Sequence, residues 1–130
     1  MSARRNQRER IAAALERLAP PVTPPNDWSC APAYVWDGEL ATSVDPLDAV
    51  PLSTLRGVEQ QKNALRANFA QLAAGVAAHD ALLWGARGMG KSALIRAAIT
   101  DVQRDDPQAL ALVQIAPSAL AAVPALLAEL

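Results

Sequence analysis

One stretch in the middle of the chain has the residue types and the spacing of a phosphate-binding loop. Gly85-Ala86-Arg87-Gly88-Met89-Gly90-Lys91-Ser92 fits the pattern G-x-x-x-x-G-K-[ST]. Gly85, Gly88 and Gly90 accept positive backbone angles and bring no side chain. The loop can therefore curl until successive backbone N–H groups point inward as a nest for an anion. A helix beginning near Lys91 would aim its orphan N–H groups and the positive end of its dipole at the same anion. Lys91 is expected to reach the β- and γ-phosphates of a nucleotide, and Ser92 to place its hydroxyl on a magnesium ion that bridges them. The candidate nucleotide-binding set is Gly85, Ala86, Arg87, Gly88, Met89, Gly90, Lys91, Ser92 and Ala93. Lysine is scarce in the chain, with only Lys62 and Lys91, and one of the two stands at the required place.

The loop needs a strand before it and a helix after it. Ala81 to Trp84 is a short apolar strand candidate, and the segment from Ser92 to Arg104 reads as helix, closed by Asp105-Asp106-Pro107. Ala109 to Ile115, bounded by Pro107 and Pro117, suits a second strand buried on both faces. Ser118 can cap a final helical stretch containing Leu120, Val123, Leu126, Leu127 and Leu130, with Pro124 tolerated only where a new helix starts. Upstream, Val58, Leu65, Phe69, Leu72 and Val76 fall on one face of a 3.6-residue repeat. Glu59, Lys62, Asn63 and Arg66 lie largely off that face, and Gly75 would weaken or end the helix. This alternation is the beginning of a parallel α/β sheet with right-handed crossovers and flanking helices.

The first half of the chain reads as a lead-in. Residues 1–19 are expected to form a helix with a narrow stripe of Ile11, Leu15 and Leu18, stopped by Pro20 and Pro21. Arg4, Arg5, Arg8 and Arg10 are read as a solvated face, because no aromatic residue accompanies them. Residues 20–50 form a proline-rich linker and then a hairpin, with Tyr34-Val35-Trp36 and Glu39-Leu40-Ala41-Thr42 flanking Asp37-Gly38. Residues 21–50 hold Asp27, Asp37, Glu39, Asp45 and Asp48 and no Lys or Arg, so Trp28, Tyr34 and Trp36 are expected to pack against the main domain rather than to stack on bases.

The 130 residues allow one ordinary domain, and 52% apolar against 19% charged residues supports a packed core. A net charge of −1 makes no case for a nucleic-acid protein. The lone Cys30 fits a reducing compartment and an idle thiol, and His79, the only histidine, has no neighbouring ligand for a metal. No apolar run approaches the roughly 18 residues of a membrane span, and Glu16 and Arg17 interrupt the first apolar patch. The expected location is the cytoplasm.

The stretch Leu52 to Leu130 resembles AAA+ ATPases, and most closely an uncharacterised bacterial AAA+ family catalogued as a domain of unknown function. The residues that carry the likeness are Leu55-Arg56-Gly57-Val58-Glu59-Gln60-Gln61-Lys62, Asn68, the run LLWGARGMGKSALIRA, and LALVQI followed by Leu120 and Pro124. The lead-in hairpin extends it to about residue 33, and Met89 replaces the commoner Thr. The resemblance implies that Gly57 and Val58 lie near the adenine of ATP, that Gly88, Gly90, Lys91 and Ser92 hold phosphates and magnesium, and that the complete protein is a homo-oligomer. A second acidic motif should close a later strand and polarise the attacking water. After Ile115 the only acidic residue is Glu129, so 51–130 reads as the N-terminal half of the ATP-binding domain, cut near Leu130. The expected function is Mg-ATP binding, with hydrolysis by an ATPase dependent on downstream motifs. The alternatives are a nucleotide-binding interaction or sensor module without turnover, and a small P-loop kinase, for which no arginine-rich lid is visible.

Overall fold

The structure, a computed structural model, describes residues 26–130 together with Gln7 and Ile11. Apart from these two positions, the expected helix over 1–19 and the linker up to residue 25 lie outside the described residues. From the Pro-rich segment the chain enters strand β1 (Ala33–Trp36), turns, and returns antiparallel as β2 (Ala41–Val44), with Trp36 opposite Ala41. The turn takes in Glu39 and Leu40, which the sequence had suggested for the second strand. Asp37 explains this: its Oδ1 accepts the backbone N–H groups of Glu39 at 3.0 Å and Leu40 at 2.9 Å, which favours a turn over a ladder. Those bonds also hold the Asp37 carboxyl below its usual range.

The other edge of β1 is taken by β3 (Leu112–Ile115), which runs parallel to it and gives the sheet order β2-β1-β3. Here the structure corrects the expected sheet. The parallel partner of the late strand is the hairpin strand β1, not Ala81–Trp84, which forms no strand and leaves Leu82 86% and Trp84 88% exposed. On β1 there is no room for it: backbone N–H groups of Leu112 and Ala116 already donate to Pro32 O and Trp36 O, at 3.0 and 3.1 Å, and β1 is paired on both sides, while the outer edge of β3 carries no strand among the described residues. The late strand is also shorter than its apolar run. Ala109 is drawn into a turn by its N–H bond to Asp106 O, and the Leu110 carbonyl is taken by Gln103.

Between β1 and β3 the chain makes helix α1 (Glu59–Ala73) and helix α2 (Lys91–Gln103), which pack on each other. Leu65 meets Leu94 and Ala98, with Leu52, Leu55, Phe69 and Leu83 around them. Arg66 reinforces the contact, its Nε 2.6 Å from Asp101 Oδ2. The apolar stripe of α1 runs out early: the helix stops at Ala73, and Leu72 and Val76 are exposed. Gly75 has φ 69°, and the N–H groups of Gly75 and Val76 bond back to Leu72 O and Gln71 O at 3.0 and 2.9 Å. This Schellman closure satisfies the last carbonyls and turns the chain off the helix. Lys62, expected off the packed face, is only 8% exposed. Its ammonium is compensated by Leu55 O at 2.9 Å and Glu59 Oε2 at 3.0 Å, the pairing a buried charge requires.

A second apolar cluster lies on the sheet. Trp36, 1% exposed, packs with Ala119 and Leu126, and Trp28, Val113 and Ile115 border it. Ala119 belongs to a 3-10 turn (Pro117–Ala122), and Leu126 to helix α3 (Val123–Glu129), which restarts with Pro124 in its first turn as Pro chemistry requires. Ser118 sits inside that turn, and its side chain caps neither segment. The hairpin aromatics therefore serve packing, with Trp28 and Tyr34 in an edge-to-face pair at 5.2 Å.

Candidate functional site

The glycine loop lies between the extended segment ending at Trp84 and the first turn of α2. Gly85, Gly88 and Gly90 have φ of 139°, 81° and 82°. A Cβ at any of the three would meet no atom within 4 Å, so backbone angle rather than crowding demands glycine there. Gly90 is the N-cap residue of α2 in the left-handed conformation, and no side chain caps the helix. The donors of Lys91, Ser92 and Ala93 thus open the helix without an intrahelical acceptor, which only starts at the Leu94 N–H bond to Gly90 O. Lys91 crosses the loop: its Nζ donates to Gly85 O at 2.9 Å and to Ala86 O at 2.7 Å. The ammonium is therefore held at the start of the loop, and Ser92, the next residue in the first turn of α2, is exposed.

The loop forms one wall of a cleft of about 270 Å³. Leu55, Arg56, Val58 and Gln61 line the opposite side, Leu83 and Leu94 its apolar part, and Trp84, Gly85, Met89, Gly90 and Lys91 the loop side. The structure thus brings Val58 together with Gly85, Met89, Gly90 and Lys91 around one space. Gly57, at φ 77°, makes the turn into that wall without lining the cleft, and Ala86, Arg87, Gly88, Ser92 and Ala93 do not line it either. A larger cavity of about 530 Å³ lies on the other side of Lys91, against Leu65, Phe69 and Leu72, and from the loop only Lys91 reaches it.

Sequence reading missed six lining residues, Leu55, Arg56, Gln61, Leu83, Trp84 and Leu94. Two of them, Arg56 and Trp84, directly precede a positive-φ glycine, Gly57 and Gly85, and that adjacency is the one signal that could have found them. It also missed how the loop is anchored. Asn68 of α1 clamps the chain ahead of the loop, with Nδ2 2.6 Å from His79 O and Oδ1 accepting the His79 N–H at 2.8 Å. His79 is therefore held through its backbone. The ion pairs between described residues engage Lys62, Arg66 and Arg104.

A mixed α/β chain with a small, partly parallel sheet, flanking helices and a glycine loop at a helix N-terminus is consistent with part of a P-loop fold. The comparison with family models gives the particular family: residues 29–130 match "Protein of unknown function (DUF815)". The chain belongs to that family, a bacterial AAA-like domain of unknown function. No curated protein and no solved structure matches the chain. No helix among the described residues is long and apolar enough to cross a membrane.

Proposed function

We propose that the segment 51–130 is the phosphate-holding part of an ATP-binding AAA-like domain, and that the cleft between Val58 and Met89 receives Mg-ATP. The observation that carries this reading is the loop itself: three glycines at positive φ deliver the chain to an uncapped helix N-terminus, with the Lys91 ammonium held over it. Family membership supports it.

The residues present fit the ligand. Gly88 and Gly90 leave open space where a Cβ would stand, and the first-turn donors of α2 need an acceptor. Magnesium is commonly held by one or two protein oxygens, substrate phosphates and water, and the Ser92 hydroxyl is an exposed oxygen beside Lys91. Among the described residues no cluster of three His, Cys, Asp or Glu competes as a metal cage. Bound magnesium would neutralise charge between the terminal phosphates; Lys91 supplies a point charge, and the backbone donors orient the oxygens. Turnover, in this reading, depends on an acidic motif and an arginine finger outside these residues, within a homo-oligomer of the complete protein.

Calorimetric titration of Mg-ATP into the 130-residue chain and its Lys91→Ala variant, with phosphate release followed in parallel, tests this. Binding that the variant loses supports the reading. Equal binding by both overturns it.

A further inference from the structure

Trp84 is the largest side chain at the cleft, yet 88% of it is open to solvent. It lines the cleft together with Met89, which is 72% exposed, Val58 and Gln61. An exposed indole is a poor contribution to folding, since nothing covers it, but it is a good one to recognition of a flat aromatic ligand. Arg56 and Lys91 line the same cleft, so cationic groups and a π-face are offered in one space. That combination suits a base joined to phosphates better than it suits phosphate alone.

We infer that Trp84 is the platform on which the base of a bound purine nucleotide stacks, with Met89 and Val58 as its apolar neighbours. The inference rests on the cleft reading above and deepens it, by assigning base selection to a residue of the loop wall. A phosphate nest by itself does not distinguish a nucleotide from inorganic polyphosphate, because it contacts only oxygens. Trp84 supplies the difference. A purine covers more of the indole than a pyrimidine does, so ATP and GTP should bind more tightly than UTP.

The test uses the whole chain with Mg-ATP, Mg-UTP and magnesium tripolyphosphate, in the wild type, Trp84→Ala and Trp84→Phe. Stacking of one base on an aromatic side chain corresponds to roughly 5- to 150-fold in affinity. The wild type should therefore prefer Mg-ATP to tripolyphosphate by about that factor. Trp84→Ala should erase most of the preference while leaving tripolyphosphate affinity unchanged, and Trp84→Phe should restore much of it. Circular dichroism of the variants should match the wild type, as the side chain is exposed. If Trp84→Ala keeps the full preference for ATP, the inference is overturned while the cleft reading stands. If neither ATP nor tripolyphosphate binds the wild type, both fall.

Discussion

Two apolar segments of this chain meet opposite fates. Ala33–Trp36 becomes the central strand of the sheet and buries Ala33, Tyr34 and Trp36, whereas Ala81–Trp84 stays unpaired and presents Leu82 and Trp84 to solvent. Local hydrophobicity does not separate them. What separates them is the supply of partners: β1 has a ladder on each edge, a Tyr34 hydroxyl bonded to Asp27 O at 2.9 Å, and the 3-10 turn and α3 above Trp36. The segment 81–84 has Asn68 holding its approach and Leu83 inserted between the helices, and no ladder. A strand is thus a property of a pair of segments, and an apolar run without a partner is left for another use.

The sharpest way to break this comparison is to truncate the two tryptophans. Trp36→Ala should cost about 3–5 kcal/mol of folding stability, as large buried aromatics do. Trp84→Ala should stay within about 0.5 kcal/mol. Urea unfolding of both variants, followed by circular dichroism, measures the contrast, and similar losses would mean that Trp84 is buried in solution.

At the loop the order should reverse, with function lost and stability kept. Lys91→Ala should weaken Mg-ATP binding by about 1.5–3 kcal/mol, the usual strength of a charge-assisted hydrogen bond. Its unfolding midpoint should barely move, because the lysine's partners, Gly85 O and Ala86 O, lie in an exposed loop that water can reach.

A smaller effect sharpens the sheet side. Gln103 places one side-chain amide between Pro32 O, at 2.9 Å, and Leu110 O, at 2.8 Å, tying the entries of β1 and β3 together. Gln103→Ala takes the side-chain donor from Leu110 O, while Pro32 O keeps the Leu112 N–H, and should cost about 1–3 kcal/mol. Hydrogen exchange at Leu112, whose N–H bonds Pro32 O, should quicken with it, and unchanged exchange would show that the ladder does not depend on the amide.

The smallest effect lies at the chain's approach to β1. The Asp27 carboxylate accepts from the Cys30 thiol at 3.0 Å, the Ser29 hydroxyl at 2.6 Å and the Ser29 N–H at 2.9 Å, which together lower its pKa from 3.8 to about 2. A carboxylate with a depressed folded pKa contributes stability above its unfolded value and loses it as pH falls. The wild type should therefore lose its small advantage over Asp27→Asn between pH 3.8 and about 2, and acid unfolding curves of the two should converge there. The same bond raises the Cys30 thiol pKa, consistent with an unreactive cysteine.

The backbone of the glycine loop was legible because its requirement is local: glycines at fixed offsets and a lysine and a serine at a helix start, all within eight residues. The start of α2 and the restart at Pro124 were legible for the same reason. The buried Lys62 was not, because helical periodicity assigns a lysine to solvent and only the nearby Leu55 carbonyl and Glu59 carboxylate make its burial tolerable. Arg56 and Trp84 were not, because membership of a cleft depends on two segments meeting.

By itself, then, the sequence determined where the glycine loop must take positive angles, where α2 begins, and which family the chain resembles. These depend on residues within a few positions of each other. Only the tertiary structure decided which apolar run enters the sheet, which polar side chains are buried with partners, and that Val58, Trp84 and Lys91 share one space. Those outcomes depend on segments distant in the chain: the pairing of β1 with β3 also covers Trp36 and satisfies backbone groups of β3, which no local pattern specifies.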